Sequence, residues 1–272
     1  MFQRPAKIAL AIRRIPATRA TIAAALFGVA AVTTGVGLMM LSSGGGAAGL
    51  SGQTQRTRAA RQAALSRPPA VPGSTVLATV LETAPGHASP GRSGAGTVPA
   101  SWYGRPSVLP VIATSPGWVR VRLAQRPNGS SAWLPASDVR LSSTPYRIVV
   151  YLPTTRLALY DHGRLVFSAP AGVGTPDDPT PAGEYFVAFD EQPPQPNPGY
   201  GPFIIVTSAH SLSIKDWEGS GDAVIGIHGP LGEDSEIGTT GARISHGCIR
   251  LHDQALEMLG AVPPGTPIDV VS

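Results

Sequence analysis

The stretch Gly117–Val139, GWVRVRLAQRPNGSSAWLPASDV, decides the fold class. Trp118, Arg120 and Arg122 alternate with Val119, Val121 and Leu123. A period of two puts these sets on opposite faces of a half-buried strand. Asn128-Gly129 signals a tight turn, and Ala132-Trp133-Leu134 follows as the next strand. Working outward, Val76–Leu81 reads as a strand. So do Arg147–Leu152, Arg156–Asp161, Leu165–Ala169, Gly183–Phe189, Phe203–Thr207 and Pro267–Val271. One helix is expected from about Asp253 to Leu259, with Asp253 as N-cap, Ala255, Leu256 and Leu259 as its buried stripe, and Gly260 as its stop. The class is mostly β with one or two short helices.

Composition agrees. Of 272 residues, 32 are glycine and 28 proline, and only 14% are charged, which suits short strands and turns better than long surface helices. One cysteine rules out a disulfide or metal-cluster scaffold. The net charge of +4 is uneven. Residues 1–67 hold nine basic side chains and no acidic one, while the remainder holds 12 basic and 17 acidic. The basic pI therefore belongs to the tail. No basic stripe or zinc spacing lies beyond it, so no nucleic-acid partner is expected.

Five segments follow. Residues 1–19 are a basic, cytoplasmic tail. Residues 20–41 are uncharged and long enough to cross a bilayer as a helix. Charge placed before them predicts a single-pass plasma-membrane anchor with the rest extracytoplasmic, on the cell-wall side. A cleaved signal with a secreted product is the alternative. Residues 42–70 are a basic, glycine-opened linker. Residues 71–143 are expected to form a small β-barrel. Their run GWVRVRL…NGSSAWLPASDV resembles bacterial relatives of the Src-homology-type barrel. Asn128-Gly129-Ser130 also fits a glycosylation acceptor, a weak three-residue pattern. Residues 145–272 form a second sheet domain. Its loops Thr175–Ala182 and Gln192–Pro202 are proline-stiffened candidates for groove walls.

The densest chemistry lies in Ile225–Asp253, IGIHGPLGEDSEIGTTGARISHGCIRLHD. A lone thiol in an exported chain is buried, nucleophilic or paired between chains. Ser245-His246-Gly247-Cys248 sets an imidazole two residues before the thiol, and His228 ends an apolar strand. Either imidazole could activate the thiol, and spacing alone does not choose between them. Gly229 offers a carbonyl to fix the tautomer of His228. Gly247 permits close approach of substrate, and the amides of Gly247 and Cys248 could face a tetrahedral oxyanion. Arg250 could clamp a substrate carboxylate or hold a loop. A zinc set of Cys248, His246, His228 and Asp234 lacks the usual spacing, so no metal or other cofactor is expected.

The segments HGPLG…TTGARISHGCIRL, LALYDHGRLVFSAPAGVG and TPAGEY resemble the bacterial L,D-transpeptidase catalytic domain, a β-sandwich. The resemblance implies Cys248 as acyl-accepting nucleophile, His228 as general base and the Gly229 carbonyl as its orienter. It implies His246 as support for the thiolate and oxyanion region. Arg250, Ser245 and Gly247 are motif residues on the substrate side. The implied partners are peptidoglycan stem peptides: a donor tetrapeptide and an acceptor stem joined by a 3→3 cross-link through a thioester. Inhibition by carbapenems is implied too. Three alternatives stay open: attachment of an envelope protein to the wall, an L,D-carboxypeptidase, and a non-catalytic membrane-anchored wall-binding protein.

Overall fold

The computed structural model describes residues 71–272 apart from 218 and 240, and these belong to one compact unit. Nine strands precede residue 145: β1 (Thr75–Val80), β2 (Ala84–Ser89), β3 (Arg92–Val98), β4 (Ser101–Trp102), β5 (Arg105–Pro106), β6 (Val108–Ser115), β7 (Trp118–Arg122), β8 (Ser131–Pro135) and β9 (Val139–Thr144). Seven of them form a sheet in the order β3-β2-β8-β7-β6-β1-β9, while β4 and β5 pair separately. Alternation in β7 works as the sequence implies. Val119 and Val121 are buried and Arg120 is exposed.

Strands β10 (Tyr146–Tyr151), β11 (Arg156–Asp161), β12 (Arg164–Pro170), β13 (Val173–Gly174), β14 (Gly183–Glu191), β15 (Ile204–His210), β16 (Val224–His228), β17 (Arg243–Ser245), β18 (Ile249–Arg250) and β19 (Pro267–Val271) follow. Eight of these form the sheet β12-β11-β10-β19-β14-β15-β16-β18, and β13 pairs with β17. Its centre is apolar on both sides: all seven residues of β15 are buried, as expected of a strand covered on two faces. This mostly-β domain with one short helix is consistent with an L,D-transpeptidase-like sandwich. The helix, α1 (Asp253–Glu257), is shorter than expected. Its N-cap is His252 rather than Asp253, and no side chain caps it. Leu256 and Leu259 are buried as the stripe requires.

Two expectations need correction. The first sheet finds no support as a distinct Src-homology-type barrel. Among the described residues no pairing joins its end strands, β3 and β9, and its buried cluster takes in Phe186 from β14 of the second sheet. The two sheets thus share apolar packing. Polar contacts extend the junction. Asn128 donates Nδ2–H to the His210 carbonyl at 2.8 Å and accepts the His210 amide at 2.9 Å. That amide is therefore committed, which leaves the glycosylation reading without a free acceptor. Arg126 Nε lies 2.7 Å from Asp222 Oδ1, and its Nη1 donates to the Ser211 carbonyl at 2.9 Å. These bonds tie segment 211–223 to the first sheet.

The second correction concerns the membrane. Among the described residues no helix is long and apolar enough to cross a bilayer. The single five-residue helix spans only ~8 Å against a ~30 Å core. The tail, the expected transmembrane run 20–41 and the linker lie outside the described residues. The single-pass anchor, the membrane partner and the plasma-membrane location thus find no support among the described residues.

Candidate active site

Strand β16 builds the floor. Gly226 and His228 are two apart and share a face. Strand β18 runs parallel to it, with Ile227 opposite Ile249 and His228 opposite Arg250. Cys248 enters just before β18, and its Sγ accepts the Gly226 amide at 3.4 Å. A Cβ added to Gly226 would stand 3.7 Å from His228 Cδ2. The glycine thus leaves open the space between the thiol's anchor and the imidazole edge.

His228 is buried, and its Nδ1 lies 2.8 Å from the Gly229 carbonyl. A carbonyl only accepts, so Nδ1 carries the proton and Nε2 keeps its lone pair. Burial lowers the pKa of His228 to about 4, helped by the Arg250 charge and opposed by the Gly229 bond. The imidazole is therefore neutral near pH 7. Burial pushes the Cys248 thiol above its ordinary value, while the Gly226 amide and the Arg250 charge pull it back. The residue as a whole keeps partial exposure.

The Ser245–Cys248 turn is closed internally. Ser245 Oγ donates to the Cys248 carbonyl at 2.5 Å and accepts the Gly247 amide at 3.1 Å. Of the two amides the sequence suggests for an oxyanion, Gly247's is thus already engaged. Gly247 has φ +115°, so its backbone favours glycine, while a Cβ there would meet only the movable end of Ile225, Cδ1, at 2.8 Å. Arg250 pairs with Glu233, with its side chain 11% exposed. It holds the loop after β16. Asp234 bonds His252 Nδ1 at 2.9 Å, away from the set once considered for zinc.

His246 faces out. Its Nε2 lies 3.8 Å from Asp178 Oδ2, and the Trp217 ring lies 5.7 Å away. Ser213 Oγ donates to the other oxygen of Asp178 at 2.8 Å, joining loop 175–182 to segment 211–223. The sequence reading missed Asp178, Trp217 and Thr180. Thr180 Oγ1 is buried, accepts the Gly174 amide at 2.8 Å and donates to the Gly247 carbonyl at 2.8 Å. TPAGEY carried the signal for Thr180, but its partner is 67 residues away. Thr180→Val strands both groups. Denaturant unfolding is expected to show a loss of about 1–3 kcal/mol. An unchanged midpoint and slope would mean that the hydroxyl is dispensable.

A groove of about 530 Å³ lies elsewhere, where Arg122, Arg147, Glu184 and Asp269 meet Val76 and Ile112. Its lining does not include Cys248 or either site histidine.

Fold and site together define a β domain with a thiol beside a buried, carbonyl-oriented imidazole. Residues 145–270 match the YkuD family, described as the L,D-transpeptidase catalytic domain. This part of the chain is therefore similar to the YkuD-type L,D-transpeptidase catalytic domain. The YkuD protein of Bacillus licheniformis, assigned by name to the L,D-transpeptidases, is 38% identical over 127 residues, covering 46% of this chain and 66% of that protein. YqjB of Bacillus subtilis is 29% identical over 146 residues, covering 51% and 77%. Among solved structures, the catalytic domain of an E. faecium L,D-transpeptidase acylated by ertapenem is 26% identical. It covers 46% of this chain and 96% of that one, with a TM-score of 0.34. The chain thus spans just under two thirds of the YkuD protein it matches.

Proposed function

We propose that the protein is a peptidoglycan L,D-transpeptidase in which residues 145–272 carry the chemistry and residues 71–143 position them. The observation that carries this reading is the 2.8 Å bond from His228 Nδ1 to the Gly229 carbonyl. It leaves Nε2 as the basic nitrogen beside the glycine that anchors Cys248. Thiol and imidazole rest neutral, so the proton moves as attack occurs. Sγ of Cys248 bonds to the carbonyl carbon of the third residue in a donor tetrapeptide, and its proton passes to His228 Nε2. The bond to terminal D-alanine breaks, and the departing amine takes that proton. A thioester remains. The side-chain amine of a second stem's third residue attacks it, loses a proton and frees the thiol, giving a 3→3 link.

The Cys248 amide is the remaining oxyanion donor of the pair. Thr180 holds the Gly247 carbonyl, and a trans peptide turns the Cys248 N–H the opposite way. The engagement of Ser245, Gly247 and Arg250 within the protein supports roles in shaping the turn rather than in gripping substrate. The exposed side, with His246, Asp178 and Trp217, suits the acceptor, whose ammonium a carboxylate attracts. Carbapenems, with an acyl group open to attack, are expected inhibitors.

The test is incubation of residues 71–272 with a purified disaccharide tetrapeptide, followed by intact-mass and muropeptide analysis. A thioester adduct and a cross-linked dimer are expected. Adduct followed by tripeptide alone would make the protein an L,D-carboxypeptidase. No adduct on a folded protein with a reactive thiol would leave a wall-binding protein.

A further inference from the structure

The loop Gln192–Pro202 is braced from within by Asn197. Asn197 Oδ1 accepts the amides of Gly199 at 3.0 Å and Tyr200 at 2.7 Å, and its Nδ2 donates to the Gly201 carbonyl at 2.8 Å. One exposed side chain thereby bonds three consecutive residues, 199–201. The carbonyls of this stretch grip the segment after the imidazole. The Gly229 amide donates to the Tyr200 carbonyl at 2.7 Å, and the Leu231 amide to the Gly199 carbonyl at 2.9 Å. The Tyr200 ring meets His228 edge-on at 5.1 Å. The Gly229 carbonyl then receives His228 Nδ1–H.

The fit leaves no spare room. A Cβ on Gly229 would lie 2.6 Å from Gly201 N, 2.6 Å from Tyr200 C and 2.7 Å from Gly199 O. Those are backbone atoms, which cannot swing aside. A glycine at 229 and a knotted loop at 197–201 therefore require each other in this chain.

We propose that Asn197 is a positioning residue for His228, acting through the 199–201 backbone and the Gly229 carbonyl. The proposal rests on the reading of His228 as base. Release of the knot lets the Gly229 peptide rotate, and Nδ1–H loses its fixed acceptor. The orientation of the imidazole, and with it of the Nε2 lone pair, is then no longer fixed. A displacement of about 1 Å at a reacting pair costs up to ~100-fold in rate.

The experiment records the side-chain ¹⁵N–¹H signal of His228 without substrate, and acylation by the disaccharide tetrapeptide, in wild type, Asn197→Ala, Asn197→Asp and Gly229→Ala. Wild type should show a single protonated Nδ1. Asn197→Ala should lose or broaden that signal and acylate roughly 10- to 100-fold more slowly. Asn197→Asp keeps both accepted bonds and should retain the signal and most of the rate. Gly229→Ala moves the loop from the other side and should reproduce the alanine signature at His228, so it carries the test even if Asn197→Ala does not fold. An unchanged Nδ1–H in Asn197→Ala or Gly229→Ala overturns the proposal, as does an aspartate variant as defective as alanine. The ¹⁵N readout needs no substrate. Failure of wild type to acylate would therefore sink the proposed reaction while leaving the tautomer result legible.

Discussion

Cys248→Ala is expected to yield a folded protein that forms no covalent adduct with a stem tetrapeptide or a carbapenem. Cys248 is the chain's one cysteine, so no second thiol can substitute. The residue is only half-buried and its side chain makes a single weak bond, from the Gly226 amide at 3.4 Å. Its truncation removes little packing. The rate of cross-linking should fall by roughly 10⁴-fold or more, as when the nucleophile of a coupled pair is removed. Cys248→Ser should be nearly as inactive. Its hydroxyl is far less acidic than a thiol, and a base with a pKa of about 4 drives that deprotonation poorly. Intact mass after incubation reads both results. An adduct on the alanine variant would place the nucleophile elsewhere and refute the role of Cys248. A serine variant that acylates as fast as wild type would show that the base is stronger than burial allows.

Much of this site was legible as sequence because it is local. Alternation in Gly117–Leu123 names its own buried face. His246, Gly247, Cys248 and Arg250 lie within five residues, so their neighbourhood needs no fold. Juxtaposition of His228 with Cys248 needs only two parallel strands. What stayed hidden depends on where loops travel. Asn197 looks like an ordinary residue in a proline-rich loop, and its partners matter only because Gly229 lies under them. Gly229 reads in the sequence only as the carrier of a carbonyl for His228. The space its Cβ would need is filled by residues 199–201, which no local pattern reports. Asp178 and Trp217 converge on His246 from separate loops. Arg250 reads as equally able to hold a loop or a substrate, and its pairing with Glu233, 17 residues earlier, depends on the path of the loop after β16. The helix began one residue early because His252, not the better N-cap former Asp253, takes the extended conformation before it. The first sheet read as a free-standing barrel because short strands with tight turns do not reveal that Phe186 completes their core.

His228→Gln should combine the second-largest kinetic loss with a change in the pH dependence of stability. Removing a general base costs about 10²–10⁴-fold. The acylation rate of the glutamine variant should fall by that much, with its thiol still open to small alkylating agents. The stability effect follows from burial. In the unfolded chain the imidazole titrates near 6.5, and in the folded protein at about 4. The folded state thus refuses a proton that the unfolded state accepts. His228's contribution is complete above pH 6.5 and is lost as pH falls towards 4. The whole difference corresponds to about 3 kcal/mol. Asp190 and Glu191 act in the opposite direction, because burial raises both pKa values and protonation relieves them. The wild-type curve alone therefore mixes signs, and the difference between wild type and variant isolates the histidine. Thermal unfolding from pH 7.5 to 4 should show wild type losing ground against His228→Gln as the solution becomes more acidic. Parallel curves would mean that His228 titrates alike in the folded and unfolded chain, so that burial does not hold it neutral; wild type gaining on the variant as pH falls would replace the neutral thiol–imidazole resting state with an ion pair.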